Sequence, residues 1–210
     1  MKKLIVFIFL VVLLGSCSKK ECTDPLAINY DADATKDDGS CEFIEIGDSY
    51  QGGIVFYLDS NNLGGLIAAP TDQSNAAEWG CQGTKIGAGG TVIGIGNQNT
   101  IDIEAGCTTA GTAADICANL TLGGYSDWFL PSKDELNLMW TNLADSDGDR
   151  GNYGPTDLNN LGGFANNHYL SSTESVDVYG SSARGQDFFS GKQSGYNKYT
   201  GYYVRAVRAF

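Results

Sequence analysis

Gly124-Tyr125-Ser126-Asp127-Trp128-Phe129-Leu130-Pro131-Ser132-Lys133-Asp134-Glu135-Leu136 carries the most explicit folding instructions in this chain. Ser132 with Glu135 three residues on is a capping box: the serine side chain serves the third helical N–H and the glutamate reaches back to the cap. Leu136, Met139, Trp140 and Leu143 then recur at helical spacing on one face, so a helix is predicted over 132–143. Just upstream, Ala113, Ile116, Cys117 and Leu120 give a second helical pattern within 110–122, which Gly123-Gly124 ends.

Outward from this pair the pattern changes to strands. Residues 53–58 read as a buried strand, 61–65 as a turn and 66–69 as the returning partner. Residues 83–99 are rich in Gly, Thr and Asn without helical periodicity and are expected to be a surface loop. Beyond the second helix, 144–167 is a polar excursion, and strand-like segments follow at 168–172, 183–189 and 202–210. Hairpins near both ends with helices between them predict an α+β domain with a mainly antiparallel sheet, two helices and long glycine-rich loops.

The chain has 13 basic and 25 acidic residues, for a net charge of −12. Such acidity excludes a general nucleic-acid binder, which needs a basic footprint. The charge is uneven, however. Between 178 and 210 the bases Arg184, Lys192, Lys198, Arg205 and Arg208 face the single acid Asp187. Internal pairing with the acidic upstream half is the plainer reading, and a basic patch for an anionic ligand the sharper one. Arg184, Lys192 and Lys198, which precede or punctuate the last strands, are the expected ligand-binding residues. Tyr179, Phe188, Phe189, Tyr196, Tyr199, Tyr202 and Tyr203 crowd the same region and suit sugar stacking, although strand alternation sends about half of such side chains into the core.

The N-terminus supplies an address. Lys2 and Lys3 precede an apolar run, 4–14, which is too short for a permanent span of about 20 residues and reads as a secretory signal. Leu14-Gly15-Ser16-Cys17 resembles the lipobox of bacterial lipoproteins. That resemblance implies cleavage before Cys17 and a lipid on Cys17 that holds the protein to the membrane. Loss of Lys2 and Lys3 would take the net charge to −14. Ser18 stands where an Asp would argue for inner-membrane retention, so an outer-membrane lipoprotein is expected. Residues 1–16 are then the signal, 17–21 a tether, 22–43 a cysteine-bounded spacer and 44–210 the main domain.

An oxidising compartment favours disulfides, and five cysteines remain after Cys17. The expected pairs are Cys22 with Cys41 and Cys107 with Cys117, leaving Cys81. The stretch from Cys22 to Cys41 has few large apolar residues and resembles a short module of bacterial cell-surface proteins through its Thr-Asp-Pro, Asn-Tyr and Asp-Asp-Gly-Ser-Cys elements. From Asp31 to Glu42, just past the second cysteine, Asp31, Asp33, Thr35, Asp37 and Glu42 match an EF-hand-like count, so Asp31, Asp33, Asp37 and Glu42 are the candidate calcium ligands; Lys36 stands where that loop needs glycine. Asp145, Asp147 and Asp149 form a second acidic cluster, read as a solvated loop.

Other chemistry finds little support. The glycine-rich loop has neither a Gly-x-Gly-x-x-Gly nor a Gly-Lys-Ser/Thr phosphate signature. His168 is the sole histidine, and no nucleophile motif accompanies it, so a surface or half-buried histidine is expected rather than a triad.

Three ordered segments resemble a secreted bacterial domain family of unknown function. Residues 124–136 resemble its "DWRLPT–EL" segment, Tyr169-Leu170-Ser171-Ser172-Thr173-Glu174 its "YWSSTE" strand, and Tyr203-Val204-Arg205-Ala206-Val207-Arg208 its closing "YVRCVR" strand. The resemblance covers about residues 46–210. The family includes the C-terminal domain of a collagen-like adhesin that binds sulfated polysaccharides, and its fold is similar to C-type lectins and the formylglycine-generating enzyme. It thus implies a C-type-lectin-like fold and a non-enzymatic binding or adhesion domain for a glycan or an envelope protein. The alternatives are a purely structural envelope component, or a hydrolase built on His168. Phe129 and Leu170 replace the family's usual Arg and Trp, which is expected to change surface chemistry. The calcium–sugar signatures of C-type lectins and the late cysteines of the formylglycine-generating enzyme are absent.

Overall fold

The computed structural model describes residues 18–145 and 160–210. The chain divides into two compact units, the first ending at Phe43 and the second running Ile44–Phe210. In the first, turns predominate, and a Cys22–Cys41 disulfide closes the segment with a Cα–Cα distance of 4.7 Å. Among the described residues no helix is long and apolar enough to cross a membrane.

The second unit is α+β. Strands β1 (Ser49–Tyr50), β2 (Gly53–Leu58), β3 (Gly65–Ala68) and β9 (Val207–Ala209) form one sheet in the order β1-β2-β3-β9, antiparallel throughout. Strands β4 (Ser74–Ala77), β5 (His168–Glu174), β6 (Ser182–Asp187), β7 (Gln193–Asn197) and β8 (Tyr202–Val204) form a second in the order β4-β8-β5-β6-β7. Only β5 and β8 pair in parallel there, through Tyr169 and Tyr203. The helices are α1 (Gly96–Gly106), α2 (Ala113–Ala118) and α3 (Lys133–Met139), with a π-helical turn, Trp140–Ala144, continuing α3.

The unbroken apolar runs of β2 and β3 follow from burial on both faces. Val55 and Ile67 enter one core cluster with Trp79, Ile103, Trp128, Leu130 and Val204. Their neighbours Phe56 and Leu66 enter the other, with Leu136, Met139, Leu143, Tyr169 and Val207. Successive strand residues point to opposite faces, so one hairpin anchors both clusters.

The capping box forms as expected: Ser132 Oγ accepts from Glu135 N and Glu135 Oε2 accepts from Ser132 N at 2.7 Å. The second predicted helix shortens to α2, capped by Thr112. The single predicted strand over 202–210 is two strands in different sheets. The break falls at Arg205-Ala206, where the Arg205 side chain is 1% exposed and reaches Asp72, Ala69 O and Gly162 O. A charge buried between the sheets needs those acceptors, and the backbone turns to supply them.

The three motif segments are bound to one another. Phe129 and Val207 exchange main-chain hydrogen bonds at 2.8 and 2.9 Å, Asp127 pairs with Arg208, and Ser172 N donates to Pro131 O at 2.7 Å. Phe129 and Leu170 are 4% and 1% exposed, so these substituted positions alter the core and not the surface.

Candidate functional site

The five C-terminal cations separate sharply. Lys198 is fully buried; its Nζ meets Glu174 Oε1 at 2.6 Å and Thr84 O at 2.8 Å and lies 4.3 Å from the Trp79 ring centre. Arg205 pairs with Asp72 at 2.7 Å and stacks over Phe164, and Arg208 pairs with Asp127 and stacks over Tyr125. Every one of these carboxylates lies upstream of residue 178, so internal pairing accounts for three of the five. Lys198 is therefore not a ligand-binding residue: a buried ammonium must be neutralised, and Glu174 does it. Arg184 is half-buried on β6, and Lys192 is exposed in the β6–β7 turn. The expected basic face of Arg184, Lys192 and Lys198 does not assemble.

The calcium candidates do not converge either. Asp31 pairs with Lys19 and accepts from Asp33 N at 2.8 Å, Asp37 accepts from Gly39 N at 3.0 Å, and Glu42 uses its main chain to bind Asn29 and Ile28. These are Asx turns, in which aspartates satisfy local N–H groups. Among the described residues no group of three or more His, Cys, Asp or Glu side chains could hold a metal ion. Cys17, Asp147 and Asp149 lie outside the described residues.

One disulfide expectation is corrected. Cys107 bonds to Cys81, and Cys117 is a free thiol, fully buried on α2, whose pKa burial pushes up strongly. The Cys81–Cys107 link encloses the glycine-rich loop and α1; closing a stretch of 26 residues stabilises by about 3 kcal/mol in the chain-entropy account.

That loop is not a surface loop in its backbone contacts. Glu174 accepts from Ile86 N at 3.0 Å and Gly87 N at 2.7 Å, and Glu135 from Gly94 N at 2.7 Å and Gly96 N at 3.4 Å. Between them, Gly90 O takes Asn99 Nδ2 and Thr173 Oγ1, each at 2.7 Å, and Ser132 Oγ meets Val92 O at 2.9 Å. Gly96 is required where it stands, because a Cβ there would lie 2.2 Å from Glu135 Oε2.

The aromatic region divides as alternation requires. Phe188 is buried, and Tyr203 stacks on buried Tyr169 at 5.3 Å. On the other face of the five-stranded sheet, His168, Tyr196 and Tyr202 form a half-buried triangle. Ring centres are 5.2 Å apart for His168–Tyr196, 6.0 Å for His168–Tyr202 and 5.1 Å for Tyr196–Tyr202, all edge-to-face. Gly185, one strand over, leaves room for Tyr196: a Cβ there would meet the tyrosine Cδ2 at 2.9 Å. Burial pushes the Tyr196 phenol up to about 12, helped by the Asp187 charge and Tyr202 and opposed by a hydrogen bond with Ser194. Asp187 sits opposite His168 in the β5–β6 register, on the same face. The rings around His168 are thus tyrosines, held by three strands into one platform. The sequence marked Tyr196 and Tyr202 but did not join them to His168, because 27 residues of turn and strand separate His168 from Tyr196.

The family model of the Lcl C-terminal domain matches residues 70–208, which contain all three motif segments. The chain belongs to that family. The match begins after β3, so the hairpin that anchors both core clusters precedes it. As an Lcl C-terminal domain, the second unit is of a secreted or surface, adhesin-like kind. A search of curated proteins finds no match.

Proposed function

We propose that this protein is a lipid-anchored outer-membrane protein whose Lcl C-terminal domain is a non-enzymatic binding module for a glycan or an envelope protein. Anchoring rests on Leu14-Gly15-Ser16-Cys17 behind the apolar run, with Cys17 as the acylated residue. The observation that carries the binding role is the His168–Tyr196–Tyr202 platform, since half-exposed rings on a rigid sheet form a ready stacking surface at small entropic cost. The non-enzymatic reading rests on the sequence, in which His168 is the sole histidine and no nucleophile motif accompanies it.

Saccharide-array binding of the mature chain tests the role. Tyr196→Ala should weaken any glycan bound by about tenfold, the loss of one good ring contact. If no saccharide binds and crosslinking on intact cells recovers an envelope protein, the glycan half of the proposal falls. Cys17→Ala should abolish labelling by a fatty-acid analogue and release the protein from the membrane; unchanged labelling would remove the anchor.

A further inference from the structure

Four residues of α1, Asn97, Thr100, Ile101 and Glu104, recur at the spacing that puts them on one face of the helix. That face forms one wall of a cavity of about 290 Å³, whose other side is made by Ala118 of α2 and by Trp128. Thr100 and Trp128 are buried and make its floor, while Asn97 and Asp127 are exposed at its mouth. Glu104 lines the same cavity, and its Oε1 is buried without a hydrogen-bond partner among the described residues. A buried carboxylate oxygen left unpaired is costly, so this atom marks a place for a donor that the described residues do not supply.

The geometry points to this cavity as a binding site for a single alkylammonium group, the chemistry of a lysine side chain or a free aliphatic amine, independently of the ring platform. The sign of the ligand follows from what surrounds Glu104. The Asp115 charge on α2 is felt at Glu104, and together with burial it raises the Glu104 pKa, as expected of an anion without a counterion. Asp115 spends its oxygens on Gly111 N at 2.7 Å and Asn119 Nδ2 at 2.9 Å, neutral donors that leave its charge in place. Asp102, on α1 itself, is likewise met by the Gln98 amide at 2.8 Å. At the mouth Asp127 is paired with Arg208, which holds its pKa below the ordinary range. The Cys117 thiol of α2, which feels the Glu104 charge, is fully buried and stays neutral.

Size and lining then choose among cations. Sites for drug-sized molecules run from about 300 Å³ upward, so this cavity holds a group no larger than a side chain. Ile101, Ala118 and Trp128 offer an aliphatic stem apolar surface; Ile101 is 52% exposed, and covering it removes apolar area from water. A single unpaired carboxylate oxygen suits a compact ammonium with rotatable donors, whereas the guanidinium fork is matched by two oxygens. The Asn97 side-chain carbonyl at the mouth is a further acceptor for the same head group.

The test is NMR titration of the mature chain with n-butylammonium and, separately, with lysine blocked at both ends, n-butanol serving as the uncharged control. The amide signals of Ile101, Glu104 and Ala118 should shift and saturate with a Kd of about 1 mM for at least one cation, and butanol should bind at least about tenfold more weakly. Glu104→Gln should lose about tenfold in affinity while unfolding no more easily in denaturant, because an unpaired buried charge has been removed. Ala118→Leu, which fills the cavity and leaves the charge, should lose binding as well. Affinity should also fall as the pH drops through the raised Glu104 value, since protonation removes the anion, and Glu104→Gln should lack that step. Binding of the blocked lysine alone would identify a protein-borne lysine as the source, and binding of butylammonium a site open to free amines. Absence of a saturating shift with either cation, butanol binding as well as the cations, or undiminished binding by Glu104→Gln would each overturn the proposal. Tyr196→Ala should leave the titration unchanged, so its failure and that of the ring platform are read separately.

Discussion

Glu174 and Glu135 are both buried and both accept main-chain N–H groups from the glycine-rich loop, yet their charges are balanced in different ways. Glu174 holds the 86–87 end and has Lys198 against it at 2.6 Å. Burial alone would raise its pKa, but Lys198 and the N–H groups of Ile86 and Gly87 bring it below the ordinary range. Glu135 holds the 94–96 end with no cation paired to it among the described residues; burial wins there and its pKa is raised despite the N–H groups of Ser132, Gly94 and Gly96. One loop is thus fastened by an ion pair at one end and by dipoles alone at the other. Removing one member of a buried ion pair strands a charge, while removing a dipole-solvated carboxylate strands only N–H groups.

Glu174→Gln should show the largest effect. It leaves the Lys198 ammonium buried against a neutral amide, Thr84 O and the Trp79 ring, and should cost about 3–5 kcal/mol in denaturant unfolding. Lys198→Met with Glu174→Gln should recover a large part of that loss, because the stranded charge is gone. A double variant no more stable than the single one would mean that the pair serves packing and not charge. Glu135→Gln should cost less, about 1–2 kcal/mol, since one amide face now opposes an N–H donor but no ion is stranded. Equal losses at the two sites would erase the distinction between the two ends.

What the sequence disclosed follows the range of the forces involved. The capping box at Ser132 and Glu135 is local, and it reads correctly to the residue. Helix α1 escaped because Gly96-Asn97-Gln98-Asn99 is a poor helix start and Ile95 supplies no side-chain cap. It is held by tertiary bonds instead, Asn99 to Gly90 and Thr100 to Leu130. Strands β4 (Ser-Asn-Ala-Ala) and β7 (Gln-Ser-Gly-Tyr-Asn) lack the β-branched residues that announce a strand, and they exist by pairing with β8 and β6. The burial of Lys198 was equally hidden: a lysine amid Tyr and Asn reads as surface until Glu174 and Trp79 close over it. The expected Cys107–Cys117 pair failed for the same reason, whereas Cys22–Cys41, closing its own short segment, forms as read. Cys107 and Cys117 are near in sequence, but α2 turns Cys117 into the core while Cys81 meets Cys107.

The finest test of the two loop ends is acidification, followed residue by residue. Glu135 has a folded-state pKa above its ordinary 4.5, so the folded protein holds that proton more tightly than the unfolded chain does. Between 4.5 and the raised value its contribution to stability falls as pH rises. Glu174 lies below 4.5, so its contribution is complete above that value and is lost only as pH falls through the lowered one. A protonated carboxyl accepts hydrogen bonds more weakly than a carboxylate. In an NMR titration from neutral pH downward, the amide signals of Gly94 and Gly96 should therefore move first. Those of Ile86 and Gly87 should follow only in stronger acid. Glu135→Gln should abolish the early step and leave the late one in place. Simultaneous titration of both ends would mean that Lys198 does not govern Glu174, and that the loop responds to acid as one unit.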